Sequence, residues 1–75
     1  MTLRDVLPGQ VVEVTGYHMG HAAYRAKLLA LGLTRGVRVK LVNVAPFGDP
    51  VELEVRGFHL SLRRSEADVL KIQAV

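Results

Sequence analysis

This sequence predicts a mostly β chain, in which five short strands close into a small barrel and one α-helix is inserted between the first and second strands. Three observations carry the reading. Helical periodicity is confined to residues 24–36, where Tyr24, Leu28 and Leu31 recur at i, i+4 and i+7 among the helix-favouring Ala22, Ala23, Ala26 and Ala30. Most of the remaining apolar residues alternate with polar ones at the period of a half-buried strand. Glycine and proline clusters separate these alternating stretches into short pieces.

Taken in order, Thr2-Leu3-Arg4-Asp5 has the spacing of a capping box with Asp in place of Glu, so a single helical turn opens the fold before Pro8-Gly9 reverses the chain. Val11-Val12-Glu13-Val14-Thr15 is β-branched and partly alternating, a first strand that ends at Gly16, and residues 16–21 form a loop into the helix. Gly32 directly follows the last periodic residue, the place of a left-handed cap, with Leu33 folding back onto the final turn. That spacing gives Gly32 a positive-φ requirement, whereas it leaves the requirement at Gly48 open.

After a turn at Thr34-Arg35-Gly36, Val37, Val39 and Leu41 alternate with Arg38 and Lys40, and then the phase flips to Val42 and Val44 around Asn43. A one-residue slip sends side chains to the opposite face, so this second strand must bulge. The segment Ala45-Pro46-Phe47-Gly48-Asp49-Pro50 is a connection, because it carries two prolines and a glycine. Val51, Leu53 and Val55 face one way, and after Arg56-Gly57 so do Phe58, Leu60 and Leu62, which makes Arg56-Gly57 the tip of a tight hairpin with two apolar arms. Ser65-Glu66-Ala67-Asp68 repeats the capped-turn pattern, and residues 69–75 form a last strand with Leu70 and Ile72 inward. Closure of these five strands would remove exposed edges, and the order of elements is that of a small SH3-like barrel.

Length and composition bound the function. Seventy-five residues make one domain, residues 1–75, that buries only about 60% of its unfolded surface and has little to spare for a deep cleft, which favours a binding module over an enzyme. No cysteine is present, so disulfides and thiolate metal sites are excluded. Ten Lys and Arg against seven Asp and Glu leave a net charge of +3, a small excess for a protein with an anionic partner. No run of about 18 apolar residues and no signal pattern occur, so the expectation is a chain that does not insert into a membrane by itself. Yet 49% of residues are hydrophobic, high for so small a domain, which leaves apolar side chains for a partner.

The stretch Ala23-Tyr24-Arg25-Ala26-Lys27-Leu28-Leu29-Ala30-Leu31-Gly32-Leu33, followed by Gly36, then Val44-Ala45-Pro46-Phe47-Gly48-Asp49-Pro50, and Leu60-Ser61-Leu62-Arg63, resembles the FeoA family of ferrous iron transport proteins. The resemblance covers nearly the whole chain, with Gly32, Gly36, Pro46, Gly48 and Pro50 at its structural turns. It implies a cytoplasmic SH3-like domain without a cofactor that serves ferrous iron uptake by acting on the membrane transporter FeoB, which carries a cytosolic GTP-binding domain. The same fold occurs as the C-terminal module of iron-dependent repressors of the diphtheria-toxin-repressor type. This chain has no helix-turn-helix, so a complete regulator is excluded and a stand-alone module of one is the alternative. A weak homo-oligomer is compatible with the sequence.

Candidate chemistry is sparse. His18 and His21 flank Met19 and are potential ligands for a divalent ion, but two imidazoles do not fill a coordination shell and no third ligand is near in sequence, so no metal site is expected. His59, Glu13, Asp49, Glu52 and Glu54 read as a solvent face, and no nucleophile-and-base pair or phosphate loop is present. A nucleic-acid-binding barrel would use Arg35, Arg38, Lys40, Arg56, Arg63 and Arg64. Such barrels add aromatic platforms, and here Tyr24 and Phe58 are needed in the core, while cross-strand pairing with Glu52 and Glu54 accounts for the basic residues. The expected partner surface is Tyr24, Arg25, Leu28, Leu29 and Leu33. Leu29 stands about 100° from Leu28 on the helical wheel and one turn from Arg25, where it either packs on the neighbouring loop near Phe47 or anchors a small docking patch with a charged rim.

Overall fold

A computed structural model describes residues 1–75. It contains β1 (Val11–Tyr17), β2 (Arg38–Val44), β3 (Val51–Val55), β4 (Phe58–Leu62) and β5 (Leu70–Ala74), with α1 (Ala22–Ala30) after the first strand, α2 (Arg64–Ala67) before the last, and a 3-10 turn at Leu3–Asp5. The strands form one antiparallel sheet in the order β4-β3-β2-β1-β5, the mostly β arrangement expected. The expected closure is corrected: β4 and β5 are the two edges and do not pair. The chain between them turns into α2, and its Ala67 and Val69 are buried in the core rather than extending a ladder.

Two bulges bend the sheet. The phase flip in β2 is a register shift between Leu41 and Asn43 against β3, as the alternation requires. The second lies in β1, between Val14 and Gly16 against β5, and it corrects the reading of residues 16–21 as loop: the strand continues past the bulge and pairs Tyr17 with Leu70. Arg56 (φ 50°) and Gly57 (φ 82°) form the two-residue turn between Val55 and Phe58, with both central residues at positive φ as a type I′ hairpin demands.

The N-terminal turn is a capping box, with the Arg4 N–H donating to Thr2 Oγ1 (3.3 Å) and the Thr2 N–H donating to Asp5 Oδ2 (3.0 Å). At the other single turn the cap is displaced from Ser65. The cap residue of α2 is Arg63, whose N–H donates to Glu66 Oε1 (3.0 Å), and the Arg64 N–H donates to Asp49 Oδ1 (3.1 Å) in the proline-rich connection. Asp49 is exposed, as the solvent-face reading expects, and also serves as a structural acceptor.

Seventeen apolar residues form the core, and every strand contributes, but α1 contributes only Leu28. Tyr24, Leu31 and Phe58, expected inside, are exposed. The stripe they share with Leu28 or Leu60 is real, but α1 touches the rest of the fold over too narrow a line to cover it, and Phe58 lies at the hairpin tip of an edge strand.

The helix ends as its sequence requires. The Gly32 N–H donates to the Leu29 carbonyl and the Leu33 N–H to the Leu28 carbonyl, each at 3.0 Å, with Gly32 at φ 88°, a Schellman motif whose hydrophobic contact is made by the buried Leu33 and Leu28. Gly32→Val is expected to cost about 1–2 kcal/mol through backbone strain alone, because nothing lies within 4 Å of where its Cβ would stand. Chemical denaturation checks this, and an unchanged midpoint would remove the left-handed cap from the account. Gly48 is also at positive φ (83°), and there the Arg64 guanidinium occupies the space of a Cβ.

Candidate docking site on the first helix

The exposed surface of α1 is unusual for an amphipathic element. Its residues other than Leu28 are exposed, and the side turned away from Leu28 carries Ala22, Ala26, Leu29 and Ala30, without a charge. Small side chains let another helix or strand approach the backbone closely, and Leu29 beside them is 44% exposed. Arg25 lies on one flank of this face and Lys27, ion-paired with Glu66, on the other.

Three contacts hold α1 in place. Leu28 is fully buried, and Tyr17 Oη donates to the Leu33 carbonyl, tying the end of β1 to the turn after the helix. The third is Lys27 Nζ, 2.7 Å from Glu66 Oε2 on α2. Glu66 is 5% exposed, and its carboxyl lies below its ordinary pKa chiefly because Lys27 donates a hydrogen bond to the charged form, with the Arg63 N–H adding to this and burial opposing it. The pairing spans 39 positions of sequence, and neither residue stood out in the sequence as more than a helix-surface lysine and a turn carboxylate.

Of the expected partner surface, the structure keeps Tyr24, Arg25 and Leu29 at the surface, while Leu28 and Leu33 are fully buried and unavailable to a partner. The Tyr24 ring lies parallel to His21 at 5.7 Å between centroids. Phe47 is 97% exposed, so Leu29 is not packed under it. His18 and His21 line an open depression at the start of α1 with Met19 and Arg25, and no group of three His, Asp or Glu side chains converges on a metal position. On the sheet, Glu52 and Glu54 are not paired to arginine or lysine as expected. His59 stands between them, Nε2 at 3.2 Å from Glu54 and Nδ1 at 3.5 Å from Glu52. The basic residues considered for nucleic acid do not gather around an aromatic platform, since Phe58 lies at the hairpin turn and Tyr24 on α1. No helix of the chain is long and apolar enough to cross a membrane.

The family model described as the FeoA domain matches residues 1–74. The Fe(2+) transport protein A/Fe(2+) transporter FeoB fusion protein of Porphyromonas gingivalis is 29% identical over 56 residues. That match covers 75% of this chain and 7% of the fusion protein, so the chain corresponds to a small part of that relative. The solution structure of FeoA protein from Chlorobium tepidum is 36% identical with a TM-score of 0.85, covering 100% of this chain and 70% of that one. A FeoA-like protein from Clostridium acetobutylicum is 33% identical with a TM-score of 0.89, covering 100% and 86%. The apo form of the manganese-activated repressor ScaR shares the fold at 19% identity and a TM-score of 0.85, with 35% of its chain covered. With the family model spanning all but the last residue and the same fold in relatives of one-third identity, this chain belongs to the FeoA family.

Proposed function

We propose that this protein is a cytoplasmic accessory factor of ferrous iron uptake that acts by docking α1 on the cytosolic, GTP-binding part of a FeoB-type transporter. The observation that carries the reading is the first helix itself, which spends one leucine on the core and presents Leu29, Leu31, Tyr24 and an alanine face to solvent. An apolar centre with a charged rim is the composition of a protein interface, and a domain this small gains nothing in stability from exposing it. The relative in which the two named transport components share one polypeptide supports FeoB as the partner. The protein's own contribution is positional, with no metal-ligand cluster among its side chains.

Leu29→Ser is expected to weaken binding to the transporter's cytosolic part by about tenfold or more, the effect of losing an interface anchor, while the unfolding midpoint stays close to wild type. Pull-down and titration with and without guanine nucleotide, beside denaturation of the same variant, decide it. Wild-type affinity in the variant would move the docking surface off α1.

A further inference from the structure

The two edges of the sheet differ in how they are finished. On β5 the centre of the free side is taken, with the Ile72 N–H donating to the Met1 carbonyl at 3.4 Å, and Lys71 adds a charge to that strand. β4 carries none of the features that keep an edge from pairing with another chain: its sequence Phe58-His59-Leu60-Ser61-Leu62 has no proline, no lysine and no bulge against β3. Residues 58–61 are exposed or half-buried. The direction of the β4 backbone groups follows from the hairpin. A two-residue turn makes Val55 and Phe58 a hydrogen-bonded pair, and the alternation of the ladder then does the same for Leu53 with Leu60 and Val51 with Leu62. His59 and Ser61 therefore turn their N–H and C=O groups outward, and no turn or loop of the chain pairs with them.

We propose that β4 pairs antiparallel with β4 of a second copy of this chain, joining the two sheets across a two-fold axis at Leu60. With the β5 edge occupied, copies meet through the same edge, and such a contact closes at a dimer instead of growing into a fibre. Parity selects the register, because outward-facing residues must meet outward-facing residues. A pairing centred on His59 sets two imidazoles against each other, and one centred on Ser61 sets His59 against Arg63. Centred on Leu60, His59 meets the other copy's Ser61, and each such pair exchanges both of its N–H···O=C bonds. On the core side Leu60, which packs on the edge of the core, meets its own copy, and Phe58, 74% exposed, comes across from Leu62. The charges of the outer side suit a neutral strand. His59 already stands between Glu52 and Glu54, so the edge offers an imidazole and a hydroxyl, which is what the second copy's edge also offers. Arg56 and the other copy's Arg63 are the nearest like charges, exposed beyond the strand ends where salt screens them. The paired edge has 5 residues, so the contact is small and the dimer weak. No residue of α1 takes part, so the inference stands apart from the helix docking reading.

Sedimentation equilibrium of the full chain from tens of micromolar to millimolar, beside NMR spectra over the same range, tests the proposal. The expected result is an average mass that rises toward that of two chains and no further, with the His59 and Ser61 amide resonances moving most. In a mixture of labelled and unlabelled chains, an intermolecular NOE should join Leu60 Hα of one copy to Leu60 Hα of the other, the close pair of this register. Ser61→Pro removes an outward N–H without touching the ladder to β3, and should weaken the dimer by about tenfold or more. The measurements on the unaltered chain decide the matter even if that variant does not fold. A single-chain mass at every concentration would overturn the proposal and leave the edge to a strand of another protein. Growth beyond two chains, shifts centred on another surface, a dimer dissolved by salt, or folded Ser61→Pro associating like wild type would each overturn it as well.

Discussion

Leu28→Ala is expected to lower the free energy of unfolding by about 2–5 kcal/mol, the range for truncating a fully buried leucine. A chain of this length holds only about 4–11 kcal/mol at roughly 0.05–0.15 kcal/mol per residue, so the loss is a large share of the whole. The position matters because α1 has no other side chain in the core. The neighbouring leucines supply the comparison, since Leu29 and Leu31 are 44% and 38% exposed and their truncation to alanine should cost well under half as much. Denaturant unfolding of the three variants, with native-state hydrogen exchange at the α1 amides, separates global destabilisation from local release of the helix. A Leu28→Ala midpoint matching that of Leu31→Ala would mean that the helix is not anchored through Leu28.

The sequence made the local features of this fold legible and left the long-range ones open. Gly32 could be placed because a Schellman end involves a few consecutive residues, and the bulge in β2 because a slip in alternation has one geometric consequence. Tyr24, Leu28 and Leu31 do share a stripe, but periodicity says which residues point together and not how much of the stripe a neighbour covers. That coverage depends on how far α1 stands from the sheet, which no local pattern encodes. Openness of the sheet was missed for the same reason, as closure depends on whether β4 meets β5 across the whole molecule. At α2 the Ser65-x-x-Asp68 spacing competed with Arg63-x-x-Glu66. The second prevailed because the reciprocal bond needs only the cap residue's backbone N–H and a glutamate three residues on. Of the docking set, Leu29 was readable from its wheel position beside Arg25. The burial of Leu33 was implied by the cap contact already assigned to it.

Lys27→Met is expected to destabilise the fold by about 1–3 kcal/mol at neutral pH, because it leaves the Glu66 carboxylate buried with the Arg63 N–H but without its cation. Methionine keeps most of the aliphatic stem, so the loss reports the charge rather than the packing. The pH dependence separates the two. The folded Glu66 carboxyl titrates below its ordinary value of 4.5, so its stabilising contribution is fully present above that value and is lost as pH falls through the lowered folded value. Once Glu66 is protonated in both folded and unfolded chains, Lys27 has no anion to hold. The stability curves of wild type and Lys27→Met should therefore run apart at neutral pH and converge in acid. A constant gap across the carboxylate range would show that Lys27 acts through its stem alone. In that case the Lys27–Glu66 pair would not be what ties α1 to α2, and Leu28 would carry the helix with the Tyr17 hydrogen bond to Leu33 alone.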